Sequence, residues 1–193
     1  MKLLHSMALL TLTTTLLMAT PGDEQEKHIQ RTVDLGKSSA TLLLQTLGKN
    51  MKANMKSGGV MNALNFCSQE AFTLTDKVNT QLEKGVEVKR ISLKYRNPAN
   101  APQGNEIKIL NSFENLKNEN VILPKFLVEY VDASTYKYYQ PIVIDNAVCL
   151  KCHGNVSENP ELQKAIAEKY PMDKATGYKM NDVRGAVVVT VKH

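Results

Sequence analysis

Cys149 and Cys152 stand three positions apart, and His153 follows at once, in the run Cys-Leu-Lys-Cys-His. This spacing suits a porphyrin. Each thiol can add to one vinyl group, the two intervening residues let both sulfurs reach their vinyls, and the next imidazole falls beneath the iron. The run reads as the attachment site of one covalent haem c, with His153 as proximal ligand. Two rival chemistries also use close cysteine pairs. Structural zinc needs four ligands, usually two separated pairs, and neither a second close cysteine pair nor a downstream H-x3–5-H is present. A thiol–disulfide pair opens a helix after a strand in a thioredoxin-like unit, and no βαβ pattern surrounds this motif.

Export supports the same chemistry, because covalent haem attachment takes place outside the bacterial cytoplasm. Lys2 gives a positive start, residues 3–18 give an apolar stretch, and Thr20-Pro21-Gly22 breaks it before Asp23-Glu24. Residues 1–22 are expected to be a signal peptide and 23–193 a single domain. The stretch is shorter than the ~20 apolar residues of a membrane span, so no stable membrane insertion is expected after cleavage. The mature protein is expected in the periplasm. The formal charge of +5 is mild and spread along the chain, which gives no footprint for nucleic acid. Two of the three cysteines belong to the motif, so Cys67 is left over and needs an explanation.

The elements that must position these residues follow from periodicity. Residues 24–55 read as a long helix, broken by Gly58-Gly59. Val60, Leu64, Cys67, Ala71, Leu74, Val78 and Leu82 recur at steps of three and four, giving a second helix ended by Gly85 with Cys67 on its apolar face. From Val86 the period changes to that of a strand, though neither face is cleanly apolar. Asn97 to Pro102 is a loop. Asn105 is expected to cap a helix carrying Ile107, Leu110 and Phe113. Residues 125–131 and 136–144 read as a hairpin, with Pro141 marking an edge or strand end. The Cys-Leu-Lys-Cys-His run follows directly. A helix over 161–169, with Pro160 suited to its first position, a loop over 177–184 and a β-branched strand over 185–191 complete the chain. The expected class is α/β of the α+β kind: an antiparallel sheet flanked by helices, with a long N-terminal helix.

This order resembles a family of exported c-type haem proteins with a PAS-like fold. Its members stand alone or serve as sensor regions of histidine kinases, chemoreceptors and cyclases. The residues that carry the likeness are Asn65-Phe66-Cys67, Arg90 to Asn100, Pro102, Glu106, Tyr139-Gln140-Pro141, Cys149 to Gly154, Tyr170 to Tyr178 and Arg184-Gly185. One departure stands out, at Asn181-Asp182, where a glycine is expected near Asn181.

Read from the residues alone, Cys67 has two explanations, since unpaired cysteine often just fills a core. Other ligands are also available for the iron: His28, His193, Met51, Met55, Met61, Met172 and Met180. The resemblance implies Cys67 as second axial ligand, and with it a reduction potential below that of a His/Met haem. Arg90, Arg96 and Lys94 are candidate partners for the haem propionates. Tyr138 and Tyr139 suit either the porphyrin or ordinary hairpin packing. The resemblance implies a redox or small-ligand sensor that acts on a separate redox or signalling protein. The alternative is a single-haem electron-transfer cytochrome. An enzyme is not expected, because two strong axial ligands leave no coordination position for substrate.

Overall fold

The computed structural model describes residues 21–193. The export segment expected over residues 1–22 lies outside them except for Pro21 and Gly22, which open the first helix. No described helix is long and apolar enough to cross a membrane.

Helix α1 (Pro21–Gln69) begins with Asp23 and Glu24 in its first turn, where negative charge suits the helix dipole. It runs in two arms. Gly58 (φ −152°, ψ 24°) and Gly59 (φ 66°, ψ −158°) leave helical geometry at the bend. The Gly59 conformation is one that essentially only glycine adopts. The second arm passes into α2 (Ala71–Asn79) with little interruption: the Glu70 N–H donates to the Phe66 carbonyl and the Leu74 N–H to the Glu70 carbonyl, both at 2.9 Å. The expected second helix is therefore real as an apolar stripe, but it stops at Asn79 and not at Gly85. Asn79 finds other work. Its side chain accepts from Val88 N at 2.7 Å and donates to Val88 O at 3.0 Å. That amide closes part of the open edge of strand β1 (Val86–Ile91), which no other strand covers.

The remaining elements are α3 (Asn105–Asn118), β2 (Leu127–Asp132), β3 (Thr135–Val143), α4 (Ala147–His153), α5 (Pro160–Lys169) and β4 (Val183–Lys192). The four strands form one antiparallel sheet in the order β1-β4-β3-β2, with the last strand of the chain inside it. Val86 faces Val191 and Ile91 faces Ala186 across β1 and β4, while Tyr136 faces Val191 across β3 and β4. The expected hairpin is β2–β3, and the sheet with its flanking helices and long N-terminal helix is the PAS-like α/β arrangement.

Both faces of the sheet are covered, which is why β4 is a nearly unbroken β-branched run. On one face Val187, Val189 and Val191 join Val86, Val88 and Tyr138 against Leu43, Leu47 and Phe66 of α1. On the other, Ala186 and Val188 join Ile91 and Tyr139 against Leu110 and Phe113 of α3. β1 did not read as one clean face for the same reason: Val86 and Val88 pack toward α1, and Ile91 packs toward α3.

Two local readings are corrected and one, at Pro141, is refined. The cap of α3 is Gly104, not Asn105, and Ile107 is exposed while Glu106 beside it is buried. Glu106 takes the inward place because Lys89 and Lys137 meet it from β1 and β3, at 2.8 and 3.3 Å. Pro141 lies in an inner strand, opposite Ala186, but beyond the last β2 partner of β3, Tyr139, so no β2 carbonyl requires its missing N–H. The final strand starts at Val183, two residues before the expected start.

Candidate functional site

One cavity of about 330 Å³ collects residues from six elements. The bend at Gly58-Gly59 lets both arms of α1 line it, through Leu44, Leu47, Met51 and Met55 on the first and Leu64, Phe66 and Cys67 on the second. Arg90 comes from β1, Ile142 from β3, Arg184 and Gly185 from β4, and Cys149, Cys152 and His153 from α4. Ala71 and Phe72 of α2 complete the wall.

Helix α4 is short and pinned at both ends. Asn146 caps its start by accepting from Val148 N at 2.9 Å. Cys149 and Cys152, three positions apart, fall on one side of the helix. At its end the Gly154 N–H donates to the Leu150 carbonyl at 2.8 Å, and a side chain at Gly154 would press on that same carbonyl. The loop after α5 then runs along the motif. Tyr178 N donates to His153 O and Gly177 N to Gly154 O, both at 2.9 Å. The His153 ring is fixed by the same loop, Nδ1 lying 2.8 Å from the Ala175 carbonyl. A carbonyl only accepts, so Nδ1 carries the hydrogen and Nε2 keeps its lone pair. Burial, and after it the charges of Arg184 and Arg96, hold His153 well below the ordinary histidine range. The ring is therefore neutral, oriented and ready to bind a metal through Nε2.

Arg96 secures this arrangement. Its Nε and Nη2 donate to the two Asp173 carboxylate oxygens at 3.1 Å each, a bidentate pair. Nη2 also reaches the Cys152 carbonyl at 2.7 Å and the Ala175 carbonyl at 3.2 Å. Asp173 in turn accepts from Ala175 N at 2.9 Å. One guanidinium thus joins the end of the motif helix to the loop that orients His153.

Cys67 is half-buried, lines the cavity and packs against the core between α1 and the sheet. Burial pushes its thiol up, while the charges of Arg90 and Arg96 act against that rise. Burial also raises Cys149 and Cys152, so all three side chains favour the neutral thiol.

A family model described as Tll0287-like matches residues 20–192. The chain belongs to the Tll0287-like family. A solved relative, the crystal structure of the cyanobacterial heme-protein Tll0287, shares 25% identity over 91% of this chain and 98% of its own, with a TM-score of 0.61. No curated protein matches the chain. Within the Tll0287-like region, segments far apart in sequence meet at the one cavity: Phe66 and Cys67, Arg90 and Arg96, the Cys-Leu-Lys-Cys-His run, Tyr170, and Arg184-Gly185. The expected glycine near Asn181 has its explanation too. Asn181 itself takes φ 67°, the left-handed region that asparagine tolerates better than most residues.

The other proposed residues separate clearly. Met51 and Met55 line the cavity, whereas Met61 packs toward Leu162 and Ile166, and Met172 and Met180 are exposed. His28 and His193 stack on each other with ring centres 4.1 Å apart, held by Thr32 and Tyr136, and neither lines the cavity. Lys94 does not reach it either; its Nζ donates to Thr176 O at 2.7 Å and sits over the Tyr178 ring. Tyr138 stacks on Phe126 and Tyr139 donates to Glu129, which is hairpin and core packing. Arg184 and Tyr170 are among the lining residues that composition and spacing missed, though both sit in segments that carry the family likeness.

The cavity fits a haem on three grounds. Two thiols at i and i+3 and an imidazole with a free Nε2 form the donor set. Gly48, inside a helix where glycine is costly, lines the cavity, and a side-chain carbon there would meet no protein atom within 4 Å. The lining is mainly aliphatic and aromatic, with a few placed polar groups, as cofactor sites are.

Proposed function

We propose that this chain is an exported periplasmic haem protein that serves as a redox or small-ligand sensor. In this reading Cys149 and Cys152 hold one haem c through thioether bonds, and His153 and Cys67 are the axial ligands. The observation that carries it is the convergence of Cys67, Cys149, Cys152 and His153 on one cavity, with His153 Nδ1 already committed to Ala175 O. The haem of the cyanobacterial relative adds support. When bound, haem supplies a one-electron couple and, if an axial ligand leaves, an open coordination position.

The sensing role rests on where Cys67 sits. It lies on the second arm of α1 beyond the bend, and it packs against the core that joins α1 to the sheet. Movement of Cys67 is therefore movement of a helix and not of a loop. The signal passes to a separate redox or signalling protein, and nucleic acid has no part in it. Among the described residues, the cavity lining holds no histidine besides His153 and no carboxylate, which favours a sensor over an enzyme with an acid–base group at the iron.

The test is the mass and the absorption spectrum of protein matured with export and haem-attachment machinery, in both oxidation states, beside a Cys67→Ala variant. The expected result is one haem added to the mass, a Soret band, and a ferric spectrum that changes in Cys67→Ala while the haem stays attached. Bare polypeptide mass with no Soret band overturns the reading. Fast electron exchange with both ligands retained, and no carbon monoxide binding to the ferrous form, would make the protein an electron carrier instead.

A further inference from the structure

Two half-buried arginines of the cavity each carry a buried Nε with no hydrogen-bond partner. Arg90 lines the cavity from β1, and its Nε is buried with no hydrogen-bond partner. Arg184 lines it from β4. Its Nη1 is held by Ser92 Oγ at 2.7 Å and Lys94 O at 3.2 Å, which fixes the guanidinium plane, yet its Nε is also buried and unpartnered. A buried donor left without a partner is costly, and more so when it is charged.

The charge balance points the same way. Three guanidiniums line the cavity, those of Arg90, Arg96 and Arg184, and among the described residues no carboxylate lines it. Asp173 neutralises Arg96 from behind. Arg90 and Arg184 line the same cavity without a carboxylate ion pair, Arg184 lying over the Tyr178 ring. A porphyrin with two propionates brings two negative charges and four acceptor oxygens. An arginine fork matches a carboxylate in geometry as well as charge.

We infer that Arg90 and Arg184 form the carboxylate site of the cavity and receive the haem propionates. This rests on the haem reading above. It changes the sequence-based set of propionate partners and keeps Arg90. Arg96 is occupied by Asp173 and two backbone carbonyls and acts as a brace, and Lys94 is turned outward to Thr176 and Tyr178. Arg184 takes a place that spacing alone did not suggest. A carboxylate placed there would meet the Nε donors that the protein leaves unpartnered.

The experiment compares resonance Raman spectra of the holoprotein with those of Arg90→Gln, Arg184→Gln and the conservative Arg90→Lys and Arg184→Lys. The propionate bending bands report hydrogen bonding to the carboxylates directly. Each Gln variant is expected to shift these bands, and each Lys variant to restore them in part, while the thioether-linked haem mass stays unchanged. If a Gln variant does not accumulate, its Lys counterpart still removes the fork and must shift the bands by a smaller amount. Propionate bands that superimpose on the parent's in all accumulating variants overturn the inference while leaving the haem reading intact. So does a parent whose spectrum responds to added acetate, with the response lost in Arg90→Gln, since the pair would then serve an external anion. Absence of covalent haem in the parent would instead sink the haem reading itself.

Discussion

The Ala175 carbonyl takes two hydrogen bonds, from His153 Nδ1 and from Arg96 Nη2. The two donors share one acceptor, so each weakens the other's hold. A stronger hydrogen bond from Nδ1–H makes the imidazole a better electron donor through Nε2. Replacing Arg96 by Gln removes the competing donor and a nearby positive charge together. Both changes favour the oxidised iron, so in the proposed haem protein the reduction potential should fall in Arg96→Gln. Stability should fall as well, by about 3 kcal/mol, because Asp173 loses the partner of a mostly buried ion pair. A spectroelectrochemical titration measures the first effect and a urea melt the second. A potential that rises would mean that Arg96 does not act through the Ala175 carbonyl. That Arg96 braces the motif was not legible in sequence, where an arginine on a strand-like run suggested a propionate contact. Only the fold shows that Asp173, 77 positions on, has already claimed it.

At the scale of elements, most of what positions the site could be read in advance. The glycine pair at 58–59, the apolar stripe through Cys67, the β2–β3 hairpin and the β-branched last strand are all local patterns, and local patterns survive folding when packing agrees with them. What could not be read is set by neighbours distant in sequence. Tyr138 and Tyr139 alternate like any strand pair, and only the two covering layers decide that both belong to cores and neither to the cavity. The bend of α1 is the feature on which the cavity most depends, since each arm supplies part of the lining. Gly59 holds that bend at φ 66°, ψ −158°, and a side chain there meets no atom but does meet a forbidden backbone region. Gly59→Ala should therefore cost on the order of 2 kcal/mol through backbone strain alone. Thermal unfolding should show a lowered midpoint. The far-ultraviolet circular dichroism should keep its helical content, because both arms can persist while the angle between them changes. An unaltered midpoint would place the origin of the bend elsewhere than Gly59.

For the molecule as a whole, the helical layer on the far side of the sheet is tied down by one buried carboxylate. Glu106 of α3 is 1% exposed and receives Lys89 from β1, Lys137 from β3 and the backbone N–H of Gln103 at 3.0 Å. Burial pushes its carboxyl up, but the Lys89 and Gln103 hydrogen bonds and the two lysine charges outweigh burial and leave it below the ordinary glutamate range. A carboxylate with a depressed folded pKa stabilises the fold fully above its unfolded value, about 4.3, and loses that contribution as pH falls through the folded value. Lys89 and Lys137 keep partial access to water, so either ammonium can be rehydrated when the carboxylate is lost. Glu106→Gln should then cost about 2 kcal/mol at pH 7, in the range of hydrogen bonds to charged groups. The gap between parent and variant should narrow as the pH falls below the unfolded value of about 4.3, and close once it passes below the folded value, where the parent's carboxyl is protonated too. Urea midpoints of the two proteins at pH 7 and at pH 3 measure that gap directly. A gap of equal size at both values would show that Glu106 acts by shape and not by charge, and that apolar packing through Leu110 and Phe113 holds α3 to the sheet without help from the ion pairs.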